Sequence, residues 1–312
     1  MILLKHVIDI AAFVVISHTC LSQVTVSNGD RLKQEGDLEA AIAAYKESFV
    51  KAPKDSINTY SLACAFALTY QKDSAFYYLN IALKSNHSLR PLTDSDLYAL
   101  IDDDRWEDIE NKQFEKFQEY NGKLAQPEYA KKLLQVIIKD QALDYYIKQA
   151  RRFYVSEKYV PHWYYPLGEL KQQLVSNNFK EIQHLINTYG WPKYSIVGSL
   201  AADAPLLCIN HHENDSIRKK YIDRIKNSCL KGEGSCTEFA KIQDRILVND
   251  GKLQLYGMQF RYRQDKTLEP FPIKDPEFVD KRRKTIGLEP LKDYLKRKIN
   301  YDFDVEQKKS AD

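Results

Sequence analysis

The residue types that hydrolytic chemistry requires stand together in the second half of the sequence: His211, Asp244, Arg282 and Arg283. An imidazole, which titrates near neutrality, can take a proton from water. A neighbouring carboxylate can orient it, and a guanidinium holds an anionic group through two parallel N–H donors. In that reading His211 is a general base, Asp244 its orienter, and Arg282 or Arg283 an anion clamp. The same residues also fit a plain structural role. His211 shares a helical stripe with Leu200, Ala204 and Leu207, as a core histidine does, and Pro205 would kink or split that helix. Asp244 and Arg245 are adjacent on a helix and do not bridge each other. An inward Asp needs a cationic or hydrogen-bond partner, which Arg282 or Arg283 could supply as a buried ion pair. Enzyme and binding protein both stay open.

A second group of candidates surrounds the stretch QLYGMQF. Gln254, Tyr256 and Gln259 offer polar groups, and Gly257 interrupts what reads as a strand. Strict alternation puts Gln254, Tyr256, Met258 and Phe260 on one face and Leu255, Gly257, Gln259 and Arg261 on the other. The glutamines then part, unless a bulge at Gly257 shifts the register. Gly257 makes room for a neighbouring helix or, the reading preferred, for a bound molecule beside Gln259. Asp140 and Asp144 share a helix face, where like charges repel, and Asp144 pairs more simply with Lys148 on the surface. No H-E-x-x-H, G-x-S-x-G, phosphate-loop or dinucleotide pattern occurs. The sequence therefore names no cofactor and no metal set.

Periodicity gives the elements that must position these groups. Helices are expected over Glu128–Val155, Phe179–Tyr189, Ser199–His212, Asp215–Leu230 and Thr237–Val248. Past the turn signal Asn249-Asp250-Gly251-Lys252 the period changes to two, giving one hairpin of about 253–263 and 267–273. Two short helices, broken at Gly287 and Pro290, close the fold. The class is mainly α with one small antiparallel hairpin.

The first third has a period of 34. Ala41, Tyr45 and Ser48 lie on one stripe after the turn glycine Gly36, and Ala75, Leu79 and Ala82 lie 34 residues further on. Leu62, Ala63 and Phe66 fill the first-helix positions. This resembles the tetratricopeptide repeat, with Asn28 and His87 departing from its pattern. The resemblance implies two helical hairpins over 23–89 and a small groove that takes a protein partner or packs against the next domain. Residues 90–122 read as a capping connector, with Thr93 or Asp94 as a cap and Trp106 covering the stack. Asn121-Gly122 and Pro127 mark the next boundary.

Over 124–298 the residues Asp140-Gln141, Gly190-Trp191-Pro192, Gly198, Asn210-His211-His212, Asp244-Arg245, QLYGMQ (254–259) and RRKTIGL (282–288) recur in a fixed order. They resemble a bacterial domain of unknown function, with Asn210, Met258 and Asp144 as departures. The resemblance lends no reaction. It implies a site built from Asp140, Gln141, Trp191, Arg245, Gln254, Tyr256, Gly257, Gln259, Arg282 and Arg283, where a small polar or anionic ligand would sit.

The start of the chain sets the compartment. Lys5 and His6 precede the apolar run Ile10–Ile16, and Cys20-Leu21-Ser22 offers small residues at a cleavage point, so residues 1–22 read as an export signal. In an oxidising compartment Cys229 and Cys236, which bracket a glycine-rich turn, could close a small disulfide loop, with two free thiols as the alternative. The 46 basic and 43 acidic residues are too balanced to advertise nucleic acid. No later segment is apolar for the length a membrane span needs. Residues 299–312 form a polar tail. The expectation is an exported scaffold or binding protein, with the hydrolase reading as its alternative.

Overall fold

A side-chain oxygen just ahead of a helix satisfies amides that have no partner inside it, and three of the first four described helices begin this way. Ser27 accepts from the Asp30 amide ahead of α1 (Asn28–Glu35), and Asp37 from Ala40 ahead of α2 (Leu38–Lys51). Asp55 accepts from Ile57 and Asn58 ahead of α3 (Ser56–Leu68), and α4 is Lys72–Ala82. The computed structural model describes residues 27–308. The export signal expected over 1–22 lies outside them, as does the end of the polar tail.

Gly36, at φ +88°, turns the chain between α1 and α2; Tyr70, at φ +58° and 34 positions later, turns it between α3 and α4. Ala41 and Ala75 are fully buried on α2 and α4, each followed four residues on by a large buried side chain, Tyr45 or Leu79. The Tyr45 ring lies over Gly29, where a Cβ would come within 2.4 Å of it. Its hydroxyl donates to Asp30 at 2.6 Å.

Two 3-10 segments, Arg90–Thr93 and Ser95–Leu100, lead to α5 (Arg105–Asn121), α6 (Pro127–Asp140) and α7 (Asp144–Glu157). Asp94 caps the second of these segments, and Trp106 is buried on α5. The single helix expected over 128–155 is divided at Leu143, which adopts φ +71°. The break is held by the buried ammonium of Lys171. It donates to the carbonyls of Asp140 and Ala142 and, at 2.8 Å, to the Asp144 carboxylate. Asp144 thus pairs with Lys171 and not with Lys148 on a surface.

The described chain forms two units, residues 27–174 and 175–308, the division falling inside α8 (Tyr164–Tyr189). In the second unit the helix expected over 199–212 is split at Asp203. It becomes α10 (Ser199–Ala202), which follows α9 (Tyr194–Val197), and α11 (Ala204–His211). Pro205 sits in the first turn of α11, where its missing N–H has no intrahelical acceptor to serve. The helices α12 (Asp215–Leu230) and α13 (Cys236–Asn249) are joined by the Cys229–Cys236 disulfide across their turn. Cys64 and Cys208 are buried thiols.

One antiparallel hairpin follows, β1 (Phe260–Tyr262) and β2 (Leu268–Pro270), with Arg261 opposite Glu269. It is shorter than expected, and Gln254 contributes only an isolated bridge to Ile273. Two helices, α14 (Val279–Thr285) and α15 (Leu291–Ile299), complete the unit. Ala240, Met258, Val279, Leu291, Tyr294, Leu295 and Phe303 form its core at the hairpin end. The protein is therefore mainly helical with one small two-stranded sheet. Among the described residues no helix is long and apolar enough to cross a membrane.

Candidate functional site

Asp244 stands on the inner face of α13 with no solvent exposure. A buried carboxylate needs donors, and the segment after α13 supplies them from its backbone. Oδ1 accepts from Leu255 N at 2.7 Å and Tyr256 N at 3.1 Å; Oδ2 accepts from Tyr256 N and Met258 N, both at 3.0 Å. Burial pushes the Asp244 carboxyl up to about 6, while these amides and the Arg283 charge pull it back. Its acceptor positions are filled by one loop, so the orienting role expected of Asp244 is directed at residues 255–258 rather than at His211.

Those bonds also explain why the strand does not begin until Phe260, the end of QLYGMQF. The amides of a ladder are turned onto Asp244, and Gly257 adopts φ +75°. This reverses the alternation, and the two glutamines come together after all. Gln254 Oε1 accepts from Gln259 N at 2.9 Å, and Gln254 Nε2 donates to the carbonyls of Gln259 and Phe271. Gln259 in turn donates to the Lys241 carbonyl at 2.9 Å. Both side chains are buried. A Cβ on Gly257 would meet Leu291 Cδ1 at 2.5 Å. The space beside Gly257 is therefore taken by α15 and not by a bound molecule.

The arginines bind the same loop from outside. Arg283, buried, donates to the carbonyls of Glu289 and Tyr256 and stacks over the Tyr294 ring at 4.9 Å. Arg282 donates to the carbonyls of Leu255, Lys274 and Asp275. Arg245 and the buried Arg218 both donate to the Asn210 carbonyl at 3.0 Å, closing the C-terminal end of α11. The expected anion clamp is thus a carbonyl clamp. A guanidinium suits that task because it carries five donors and no acceptor.

The remaining candidates are placed as follows. His211 is the last residue of α11 and is partly buried. His212 packs edge-on against Phe179 with ring centroids 4.7 Å apart, and burial lowers its pKa. Trp191 stacks on Tyr221 at 6.0 Å with Arg224 over its ring, which ties the loop after α8 to α12. Asp140 and Gln141 belong to the first unit, where Asp140 is fully buried and Gln141 ends α6.

The sequence model of one family, described as a family of unknown function (DUF6624), matches residues 127–306, more than half of the chain. The chain belongs to this family. No curated protein and no solved structure matches it.

Within the DUF6624 region lies a polar cluster that motif reading missed. Asp203 occupies the single residue between α10 and α11, accepts from the Tyr194 hydroxyl at 3.1 Å, and takes a backbone hydrogen bond from Ser235. Glu238 and Lys241, both buried on the first turns of α13, form an ion pair at 2.5 Å. The second oxygen of Glu238 has no hydrogen-bond partner. Burial, reinforced by the Glu238 charge, pushes the Asp203 carboxyl up to about 7. A largely buried acid whose carboxyl is raised toward neutrality is the group best suited to proton transfer or to holding a polar ligand. The only trace in the sequence is Ser235-x-x-Glu238, a capping box in which Asp203 bonds the Ser235 amide that Glu238 would ordinarily reach.

In the first unit Cys64, Asp94 and Asp96 bring ligating atoms within 4.8 Å of one another. Lys33 pairs with Asp96 and the Tyr60 hydroxyl donates to Asp94 at 2.8 Å. The ammonium already supplies the positive charge a metal would bring, and this group joins α1 and α3 to the 3-10 segments.

Proposed function

We propose that the chain is an exported bacterial envelope protein acting as a scaffold. In this reading tetratricopeptide-like hairpins take a protein partner, and the DUF6624 domain holds a small polar ligand at the Asp203 corner. One observation carries it: Asp244, Gln254, Arg282 and Arg283 all hydrogen-bond to the backbone around a single loop. Groups so engaged give shape, and a shaped surface serves binding more directly than turnover. The repeat reading is supported by the left-handed turns at Gly36 and Tyr70 and by the 34-residue offset between the starts of α2 and α4. Export is supported by the Cys229–Cys236 bond, since disulfides persist in oxidising compartments.

The alternative, a hydrolase-type enzyme, draws on Asp203, whose carboxyl titrates near neutrality beside Glu238. It loses Asp244, Arg282 and Arg283 as catalytic groups, because their polar atoms serve the loop.

Two measurements test the proposal. Mass spectrometry of the protein from a bacterial host should find a chain beginning near Gln23 with Cys229 and Cys236 joined; Met1 retained would overturn export. Thermal-shift screening of the full chain with small polar compounds should give ligands that Asp203→Asn no longer binds. Hydrolysis of any such compound, abolished in the same variant, would replace the scaffold by the enzyme.

A further inference from the structure

The first unit carries a cleft of about 320 Å³ between the end of α4 and one face of α5. Ile109, Lys112, Gln113 and Lys116 follow one another at helical spacing and form that face. Ile109 and Gln113 are the buried floor. The Gln113 amide is fixed by bonds to the carbonyls of Asn86 and Ser88 at 2.8 and 2.7 Å. Leu83 and Lys84 close the other side.

Three lysines, Lys84, Lys112 and Lys116, therefore line this space together with Glu115 and Glu119, and none of the three forms a close ion pair with either glutamate. Lys116 donates to the Leu83 carbonyl, and burial alone acts on its pKa, lowering it. No carboxylate compensates that loss of solvation. The one acid paired with Lys112 is Asp108, at 3.9 Å with both side chains largely exposed, a contact worth little. Lys84 enters no ion pair among the described residues. Glu115 and Glu119 complete the wall and are exposed.

We propose that this cleft binds a small oxyanion, a carboxylate or phosphate, held by Lys84, Lys112 and Lys116. Capping of the α4 carbonyls accounts for one ammonium, that of Lys116. It does not account for the other two. A cleft of about 320 Å³ admits only a compact group, so the ligand is a small anion and not a nucleic acid strand. This site is separate from the Asp203 corner and stands or falls independently of it.

Titration calorimetry on the full-length protein at low salt decides the matter, with inorganic phosphate in one arm and succinate in the other. Binding of either supports the cleft, and the arm that binds names the anion. Lys84→Ala and Lys112→Ala, both at exposed positions, should each weaken binding about tenfold while leaving the thermal midpoint unchanged. Added sodium chloride should weaken it further. Lys116→Met, which keeps the apolar stem, should abolish it. The proposal is overturned if neither anion binds the wild-type chain, or if binding survives Lys84→Ala and Lys112→Ala unaltered.

Discussion

Gln254 holds Gln259 by both backbone groups: its Oε1 accepts the Gln259 N–H at 2.9 Å and its Nε2 donates to the Gln259 carbonyl at 3.1 Å. The side-chain amide thus reinforces a segment whose ends already pair with residues 271–274, Gln254 N donating to the Pro272 carbonyl and Phe271 N to the Gln259 carbonyl. Replacing it leaves buried donors and acceptors without partners, which costs more than a hydrogen bond contributes. Gln254→Ala should lower unfolding free energy by about 2 to 4 kcal/mol, read by urea titration. A loss below about 0.5 kcal/mol, the scale of an ordinary surface substitution, would show that water replaces the amide at no penalty.

Gly257 and Gly251 make a controlled pair. Both have positive φ, +75° and +71°, but a Cβ at Gly257 meets Leu291 whereas one at Gly251 meets nothing within 4 Å. Gly251→Ala should cost about 1 kcal/mol, the backbone term alone. Gly257→Ala should cost roughly 2 kcal/mol more through overpacking. Equal losses in the two variants would mean that α15 moves aside freely.

Asp203 and Asp244 have carboxyls raised to about 7 and about 6 from the ordinary value near 3.8. The folded state then holds protons that the unfolded chain has released. Their contribution to stability is complete below about pH 4 and is lost as pH rises through 6 and 7. Asp203→Asn cannot ionise, so it should be less affected than wild type between pH 5 and pH 8 and relatively more stable at pH 8. Denaturant midpoints across that range test the sign; a wild-type midpoint that climbs in parallel with the variant's contradicts it.

The Cys229–Cys236 bond spans seven positions. A loop that short removes about 2.5 kcal/mol of unfolded-state entropy in the chain-closure treatment. Cys229→Ser with Cys236→Ser should lose about that amount in guanidinium unfolding, and a reducing agent should then have no further effect. Reduction of the wild-type chain without any change in its midpoint would sink the expectation.

Much of the helical frame was legible because its signals are local. Gly36 ends α1, Gly287 and Pro290 separate the last two helices, and Asn249 to Lys252 mark the end of α13. The break at Asp203 was legible from Pro205, which stands in the first turn of α11, whereas the break at Leu143 was not. A Leu at positive φ has no sequence signature, and the lysine that stabilises its turn lies 28 residues away. QLYGMQF misled because alternation assumes that backbone amides face another strand, whereas here they face Asp244. The Asp203 corner escaped because Asp203 and Glu238 are 35 positions apart and meet only through the turn between α12 and α13. The arginines were singled out as partners for Asp244 or for an anion, but guanidinium chemistry serves carbonyls as readily as anions, and sequence alone does not choose between them.

The Asp244 loop also bears on the order in which the fold assembles. Asp244 reaches its amide partners across 11 to 14 residues, whereas Arg283 returns to Tyr256 across 27. Closing the shorter loop costs less entropy and takes tens of nanoseconds on an open chain. The α13 segment and its following loop can therefore form a local nucleus to which α14 is added later. Pulse-labelled hydrogen exchange would then find the amides of Leu255, Tyr256 and Met258 protected before those of α14, and the reverse order would exclude this nucleus.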